Sequence, residues 1–218
     1  MQEIKSLRWR VAQWLELRWW ERYLKPLKKE DYYSKKKQYW QQILHQLELE
    51  PVVNQPILEA GCGPAGIFTI LHNQKVDAID PLLRKYTQRL THFSPEEYPW
   101  VRFHATTLED HSCQPYPLVF CFNAINHIAN WEDGMRKLVQ FTAADGRLAL
   151  GVDVHKYSWL RWVFRYLPGD LLHPQQHIAE EYRAVLQKHN MTIEHEFISK
   201  KGLIFDYWIV LLHKPTST

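Results

Sequence analysis

The sequence predicts an α/β fold: a seven-stranded, mainly parallel sheet with helices on both faces and an antiparallel hairpin at its C-terminal end. Three observations predict it. From residue 56 onward, short apolar runs alternate with segments of helical period, and repeated strand–helix units build parallel sheets. The run Leu118-Val119-Phe120-Cys121-Phe122-Asn123 is nearly all apolar, as a central parallel strand covered on both faces must be. The last two runs, Thr192 to Ser199 and Tyr207 to His213, pair as a hairpin around Lys201-Gly202.

The composition supports this class and excludes others. The chain has 218 residues, 45% hydrophobic and 23% charged, which is a folded composition and not a disordered one. At ~150 residues per domain, that length is one domain plus an appendage. The formal charge of +3 is too small to mark a nucleic-acid binder, so no nucleic-acid partner is expected. Cys62, Cys113 and Cys121 form no metal-ligand spacing, and so sparse a set suits a reducing compartment. The first twenty residues are charged throughout and lack the apolar stretch of a signal peptide, so a cytoplasmic location is expected. The longest apolar run, Tyr207 to Leu212, has six residues, against the ~20 needed to span a bilayer as a helix.

The elements follow in order. Residues 1–50 hold eleven Lys/Arg against seven Asp/Glu, and five of the ten Trp: Trp9, Trp14, Trp19, Trp20 and Trp40. Ile4, Leu7, Val11, Trp14 and Leu15 recur at helical spacing, which predicts a helix over 3–24 that Pro26 ends. A second helix runs from Lys29 to Leu47, with Tyr32, Tyr39, Ile43 and Leu47 as buried candidates. This helical cap has two readings. It is an amphipathic pair packed on the main domain, or it is a basic, Trp-rich surface that meets a membrane or a lipid-like substrate. A cap that helps close a pocket fits either one.

The main domain occupies 51–218. Strands are expected at 56–60, 76–80, 101–105, 118–123 and 147–152, and helices at 67–71, 82–90, 131–142 and 174–187. The segment 157–173, with Trp159, Trp162, Phe164 and Tyr166, reads as an aromatic lid.

Chemistry concentrates where the first strand meets its turn. Pro56-Ile57-Leu58-Glu59-Ala60 runs into Gly61-Cys62-Gly63-Pro64-Ala65-Gly66. Glycine is needed there because the turn is tight and its backbone must approach a ligand with no Cβ between. Asp80 ends the second strand nineteen residues after Gly61, the interval at which an acid accepts the two hydroxyls of a ribose. That much fits a nicotinamide dinucleotide as well as S-adenosylmethionine. Glu59 tilts the choice, since dinucleotide folds usually have an apolar residue there and an acid suits a ligand carrying an ammonium or sulfonium.

Ile57 to Gly66 resembles motif I of the class I S-adenosylmethionine-dependent methyltransferases. Val76 to Pro81 resembles their motif II, and Tyr116 to Ile128 their fourth strand and its loop. The resemblance covers residues 55–214 and is closest to the small-molecule group that includes ubiquinone and menaquinone biosynthesis enzymes. It implies a Rossmann-like sheet and S-adenosylmethionine as cofactor. It implies that Glu59 contacts the methionine ammonium, and that Gly61, Cys62 and Gly63 line the methionine and ribose. Asp80 would hold the ribose hydroxyls, with Pro81 beside it, and Leu82 would pack on the adenine. Thr106, Thr107 and Leu108 would face the adenine edge, and Asn123 and Ala124 the methionine part. Two departures stand out: Thr106 occupies a position where the family often has Asp, and the fourth strand opens Tyr116-Pro117 in place of Phe-Asp.

Methyl transfer from a sulfonium needs positioning first, and a base only when the acceptor must lose a proton. His127 and His155, after the fourth and fifth strands, are the base candidates. His173 and His177 are spaced i, i+4, but no further ligands mark a metal site. Tyr32, Tyr33, His127, His155, Trp159, His173 and His177 are the expected lid and acceptor wall, which suits a small, apolar or aromatic acceptor. The alternatives are a non-catalytic cofactor-binding protein of the same fold, an RNA or protein methyltransferase, and a nicotinamide-dependent reductase.

Overall fold

The computed structural model describes residues 7–128, 130–156 and 177–216. Its sheet comprises β1 (Pro56–Ala60), β2 (Lys75–Ile79), β3 (Val101–His104), β4 (Tyr116–Phe122), β5 (Thr142–His155), β6 (Thr192–Lys201) and β7 (Phe205–His213). The spatial order is β3-β2-β1-β4-β5-β7-β6. The first five strands run parallel, and β7 runs antiparallel to both β5 and β6. The chain works outward from β1 to β3, then returns to place β4 on the other flank of β1. That reversal opens a crevice at the carboxyl ends of β1 and β4, where ligands of open α/β sheets bind.

Helices α1 (Leu7–Leu24), α2 (Lys29–Gln46) and α3 (Leu83–Arg89) cover one face. Leu17 and Leu24 of α1 and Tyr33, Trp40, Ile43 and Leu47 of α2 share a core with Ile57, Val76, Ala78 and Phe120 of the sheet. Of the candidates on α2, Tyr32 is buried as expected, and Tyr39 only partly. The other face packs against α4 (Trp131–Phe141) and α5 (Ala179–Lys188), with Leu58, Val119, Leu148 and Val210 beneath Met135, Leu138 and Tyr182. Asn130 caps α4 by accepting from the Asp133 N–H, and Glu132 and Asp133 complement its N-terminal dipole.

Several boundaries move. The expected helix at 67–71 is a single 3-10 turn, Ile67–Ile70, and β2 starts soon after at Lys75. The space is taken by α2. Its Tyr33 hydroxyl donates to the Pro64 carbonyl at 2.8 Å and its Trp40 indole to the Ala65 carbonyl at 3.0 Å. β5 is longer than expected because it continues straight from the end of α4. α5 begins at Ala179, since His177 and Ile178 are not helical; residues 174–176, like the lid segment 157–173, lie outside the described residues.

No helix lies between β3 and β4. The buried Asp77 on β2 is satisfied there by side chains instead, accepting from Arg102 (2.7 Å), His104 (2.8 Å) and Tyr116 (2.8 Å). Burial pushes its pKa up, but these hydrogen bonds outweigh that and hold the carboxyl below its ordinary range. Among the described residues, no helix is long and apolar enough to cross a membrane.

Candidate functional site

The glycine turn after β1 is held by its neighbours. Gly61 and Cys62 donate their N–H groups to the Ile79 carbonyl at the end of β2. Gly61 and Gly63 have φ of +71° and +56°, a region that disfavours side chains. At Gly61 a Cβ would also stand 2.1 Å from the Ala124 Cβ, so the loop after β4 lies directly against the turn.

Two carboxylates frame this turn. Asp80 accepts from the Gly63 N–H at 3.0 Å with one oxygen and from the Leu82 N–H at 2.8 Å with the other. Burial, and then the nearby Glu16 carboxylate on α1, push its pKa up to about 7. Glu59, expected at the ligand's ammonium, is committed first to the backbone: its oxygens accept from the Ile67 and Phe68 N–H groups, both at 2.8 Å. Burial pushes it up to about 8. The cause is steric as well as polar. A Cβ at Gly66 would lie 2.0 Å from a Glu59 oxygen, so only glycine lets the 3-10 turn close onto the carboxylate.

Over this floor lies a cavity of about 1090 Å³. Glu59, Gly61, Cys62, Gly63, Asp80, Pro81, Thr106, Thr107, Leu108, Asn123, Ala124, His127 and Tyr32, all named from the sequence as candidates, line it. Others are placed elsewhere. Leu82 is buried in the core, and Pro81 supplies the cavity wall in its stead. Tyr33 is buried and braces the turn from α2. His155 is buried with its ring 4.5 Å from Phe205, outside the lining. His177 bonds Glu181 at 2.9 Å and packs 4.2 Å from Trp131, also outside it. Trp159 and His173 lie outside the described residues. The Cys62 thiol is pushed well above its ordinary value, by burial first and then by Asp80 and Glu59, so it acts as filler in the turn.

The sequence reading missed a second wall. α1 forms a roof from Glu16, Trp19, Trp20 and Tyr23, with Trp20 3.8 Å from where a Gly63 Cβ would stand. Glu16 accepts from the Tyr86 hydroxyl at 3.0 Å, and Glu21 pairs with Arg89 at 2.6 Å, which fixes α1 along α3. At the other end lie Lys36, Tyr39, Asp153, Lys200 and Tyr207. The Lys36 ammonium sits 5.5 Å from the centre of the Tyr39 ring and 5.9 Å from that of Trp40, and burial lowers its pKa. The Trp density of residues 1–50 hinted at the roof. Nothing local in the sequence marks Lys200 or Tyr207, which β6 and β7 bring in from the far end of the chain.

A glycine turn, an acid on the adjacent strand and a crevice at the point of sheet reversal are the features of a Rossmann-like fold. The chain has the fold of the class I S-adenosylmethionine-dependent methyltransferases. The N-methyltransferase NodS from Bradyrhizobium japonicum, solved with S-adenosylhomocysteine, is 16% identical, covers 82% of this chain and 87% of its own, and superposes with a TM-score of 0.59. Geranyl diphosphate C-methyltransferase from Streptomyces coelicolor is 10% identical, with 81% and 78% covered and a TM-score of 0.59. The [4+2]-cyclase SpnF is also 10% identical, with 83% and 81% covered and a TM-score of 0.61. No protein-family model and no curated protein matches the chain. Among the described residues, no group of three or more His, Cys, Asp or Glu side chains could hold a metal ion.

Proposed function

We propose that the chain is an S-adenosylmethionine-dependent methyltransferase acting on a small acceptor. The observation that carries this reading is a cavity whose lining includes the glycine turn and Asp80 together with Asp153 and Tyr207 from the far strands of the sheet. At about 1090 Å³ it is at the upper limit of a pocket for one drug-sized ligand, so two reactants fit side by side. The glycine turn suits a group that must approach the backbone closely, and the buried Tyr32 hydroxyl has no protein partner among the described residues.

Bound there, S-adenosylmethionine would supply a methyl group already activated on a sulfonium. The chain's own residues then position and dry the site. Asp80, with each oxygen already accepting one N–H, keeps lone pairs for the ribose hydroxyls. Thr106, Thr107 and Leu108 edge the adenine, with a threonine hydroxyl as the weaker acceptor where the family often has Asp. Asn123 and Ala124 flank the methionine part, and Lys36 offers its carboxylate a cation. Trp19 and Trp20 roof the cofactor against water. His127, on the wall after β4, is the residue to take a proton if the acceptor gives one up.

Calorimetry with S-adenosylmethionine, S-adenosylhomocysteine and NAD tests the reading. Binding of the first two only is expected, with at least a tenfold loss in Asp80→Ala; binding of NAD alone overturns it. SpnF, a cyclase on this fold, supports a second reading in which the chain binds the cofactor without transferring its methyl group. Binding with no turnover of labelled cofactor across a panel of amine, phenol and isoprenoid acceptors would favour that one.

A further inference from the structure

The fold leaves the outer side of α1 exposed beyond the cavity roof. Leu17 and Leu24 turn into the core, and Glu16 and Trp20 turn to the cavity. At about 100° per residue, Trp14, Arg18, Arg22, Trp19 and Tyr23 then share the remaining half of the helix. Trp14 is 50% exposed, Trp19 49% and Tyr23 43%, and Leu27 continues the patch just past the helix. The Trp19 and Tyr23 rings stack at 4.8 Å, and the Arg18 guanidinium lies 5.5 Å from the centre of the Trp14 ring.

The charges on this surface are predominantly basic, with Glu21 beside Arg18 and Asp31 on the rim as the acids. Arg10, Arg18, Arg22, Lys25 and Lys28 are all exposed. The helix's own carboxylates are both engaged: Glu16 with Tyr86, and Glu21 with Arg89 at 2.6 Å and with Arg18 on this face at 3.4 Å. Aromatic rings prefer the headgroup level of a bilayer, and arginine and lysine are drawn to anionic headgroups. The patch is also the rim of the cavity, since Trp19, Tyr23, Leu27 and Lys28 belong to both.

We propose that the outward face of α1 docks on an anionic lipid bilayer and turns the mouth of the cavity toward it. Docking is independent of what the cavity binds. Its use, to let an amphiphilic acceptor pass from the headgroup layer into the cavity without crossing water, rests on the methyltransferase reading. A nucleic acid fits less well. The basic residues gather on one helical hairpin, the rest of the chain is close to neutral, and Trp14 lies about 140° around the helix from Trp19, so the two rings make no common stacking platform.

The test uses the full chain and vesicles of phosphatidylcholine, alone or with about a third phosphatidylglycerol. Sedimentation with the anionic vesicles only is expected, with a blue shift of Trp emission and loss of binding as salt rises. The variant Trp14→Ser/Arg18→Glu/Arg22→Glu touches no cavity residue and should partition at least roughly tenfold less. Lys37→Glu, a charge reversal of the same kind on α2, should leave partitioning unchanged. Thermal midpoints check that both variants are folded; if the triple variant is not, smaller blue shifts in Trp14→Phe and Trp19→Phe carry the same information. Four outcomes overturn the proposal: no sedimentation at low salt, equal losses in the α1 and α2 variants, a dimer that Trp14→Ser dissolves, or RNA retention in place of vesicle binding.

Discussion

Gly61→Ala tests the glycine turn most directly, because the structure gives both parts of its cost. The backbone sits at φ +71°, where an L side chain costs about 1–2 kcal/mol. The new methyl would lie 2.1 Å from the Ala124 Cβ, whereas carbon atoms in contact sit roughly 3.5–4.0 Å apart. Forcing β1's turn from the β4 loop by that margin is overpacking, worth about 1–3 kcal/mol. The alanine returns about 0.4–1 kcal/mol by restricting the unfolded chain. The net expectation is a loss of roughly 1–4.6 kcal/mol, a fall in melting temperature of about 2–18 °C for a chain this long. A double-mutant cycle separates the parts. Ala124→Gly removes the overlap but not the φ penalty, so it should recover about 1–3 kcal/mol in the Gly61→Ala background. Urea denaturation of the four proteins measures it. Additivity within about 0.5 kcal/mol would refute the claim that the two loops are locked by contact.

Three further outcomes follow from the same geometry. Asp80 and Glu59 have folded-state values raised to about 7 and about 8, so their protonated forms favour the fold. That contribution is complete below about pH 4 and is lost as pH climbs through 7 to 8, and Glu16→Gln should make the fall shallower by lowering Asp80; identical urea midpoints for wild type and variant at pH 5.5 and 8 would count against it. Trp40→Phe strands the Ala65 carbonyl and should cost about 1–3 kcal/mol by thermal unfolding, more than a surface change such as Lys37→Glu; equal effects would remove α2 as the brace of the turn. Asp77→Asn keeps one acceptor oxygen for three donors and should lose about 1.5–3 kcal/mol at pH 7, with an unchanged urea midpoint as the contrary result.

The strands and the hairpin were legible because burial on both faces writes itself as apolar runs, and Leu118 to Phe122 is the clearest case. The turn was legible because Gly61 and Gly63 answer a local backbone demand. What was hidden depends on contacts between distant segments. Ile67 to Leu71 has a helix-like pattern, yet Trp40, twenty-five residues before Ala65, takes the space a longer helix would need. Glu59 was read from its position alone, and its commitment to two N–H groups comes from the close approach at Gly66. His155 looked like a loop residue after a strand; β5 in fact extends to include it and pairs it with Phe205.

The division of labour between α2 and the shortened first crossover bears on how this protein can be dissected. Composition changes at residue 50, but the structure has no seam there: Tyr33 and Trp40 reach over to Pro64 and Ala65, and Ile43 and Leu47 lie in one core with Ile57. A fragment starting at residue 51 would therefore lose the Ile43 and Leu47 share of that core and leave the Pro64 and Ala65 carbonyls without these donors. Removing residues 1–50 is not a neutral way to isolate the sheet; truncations meant to probe α1 must stop short of Lys29.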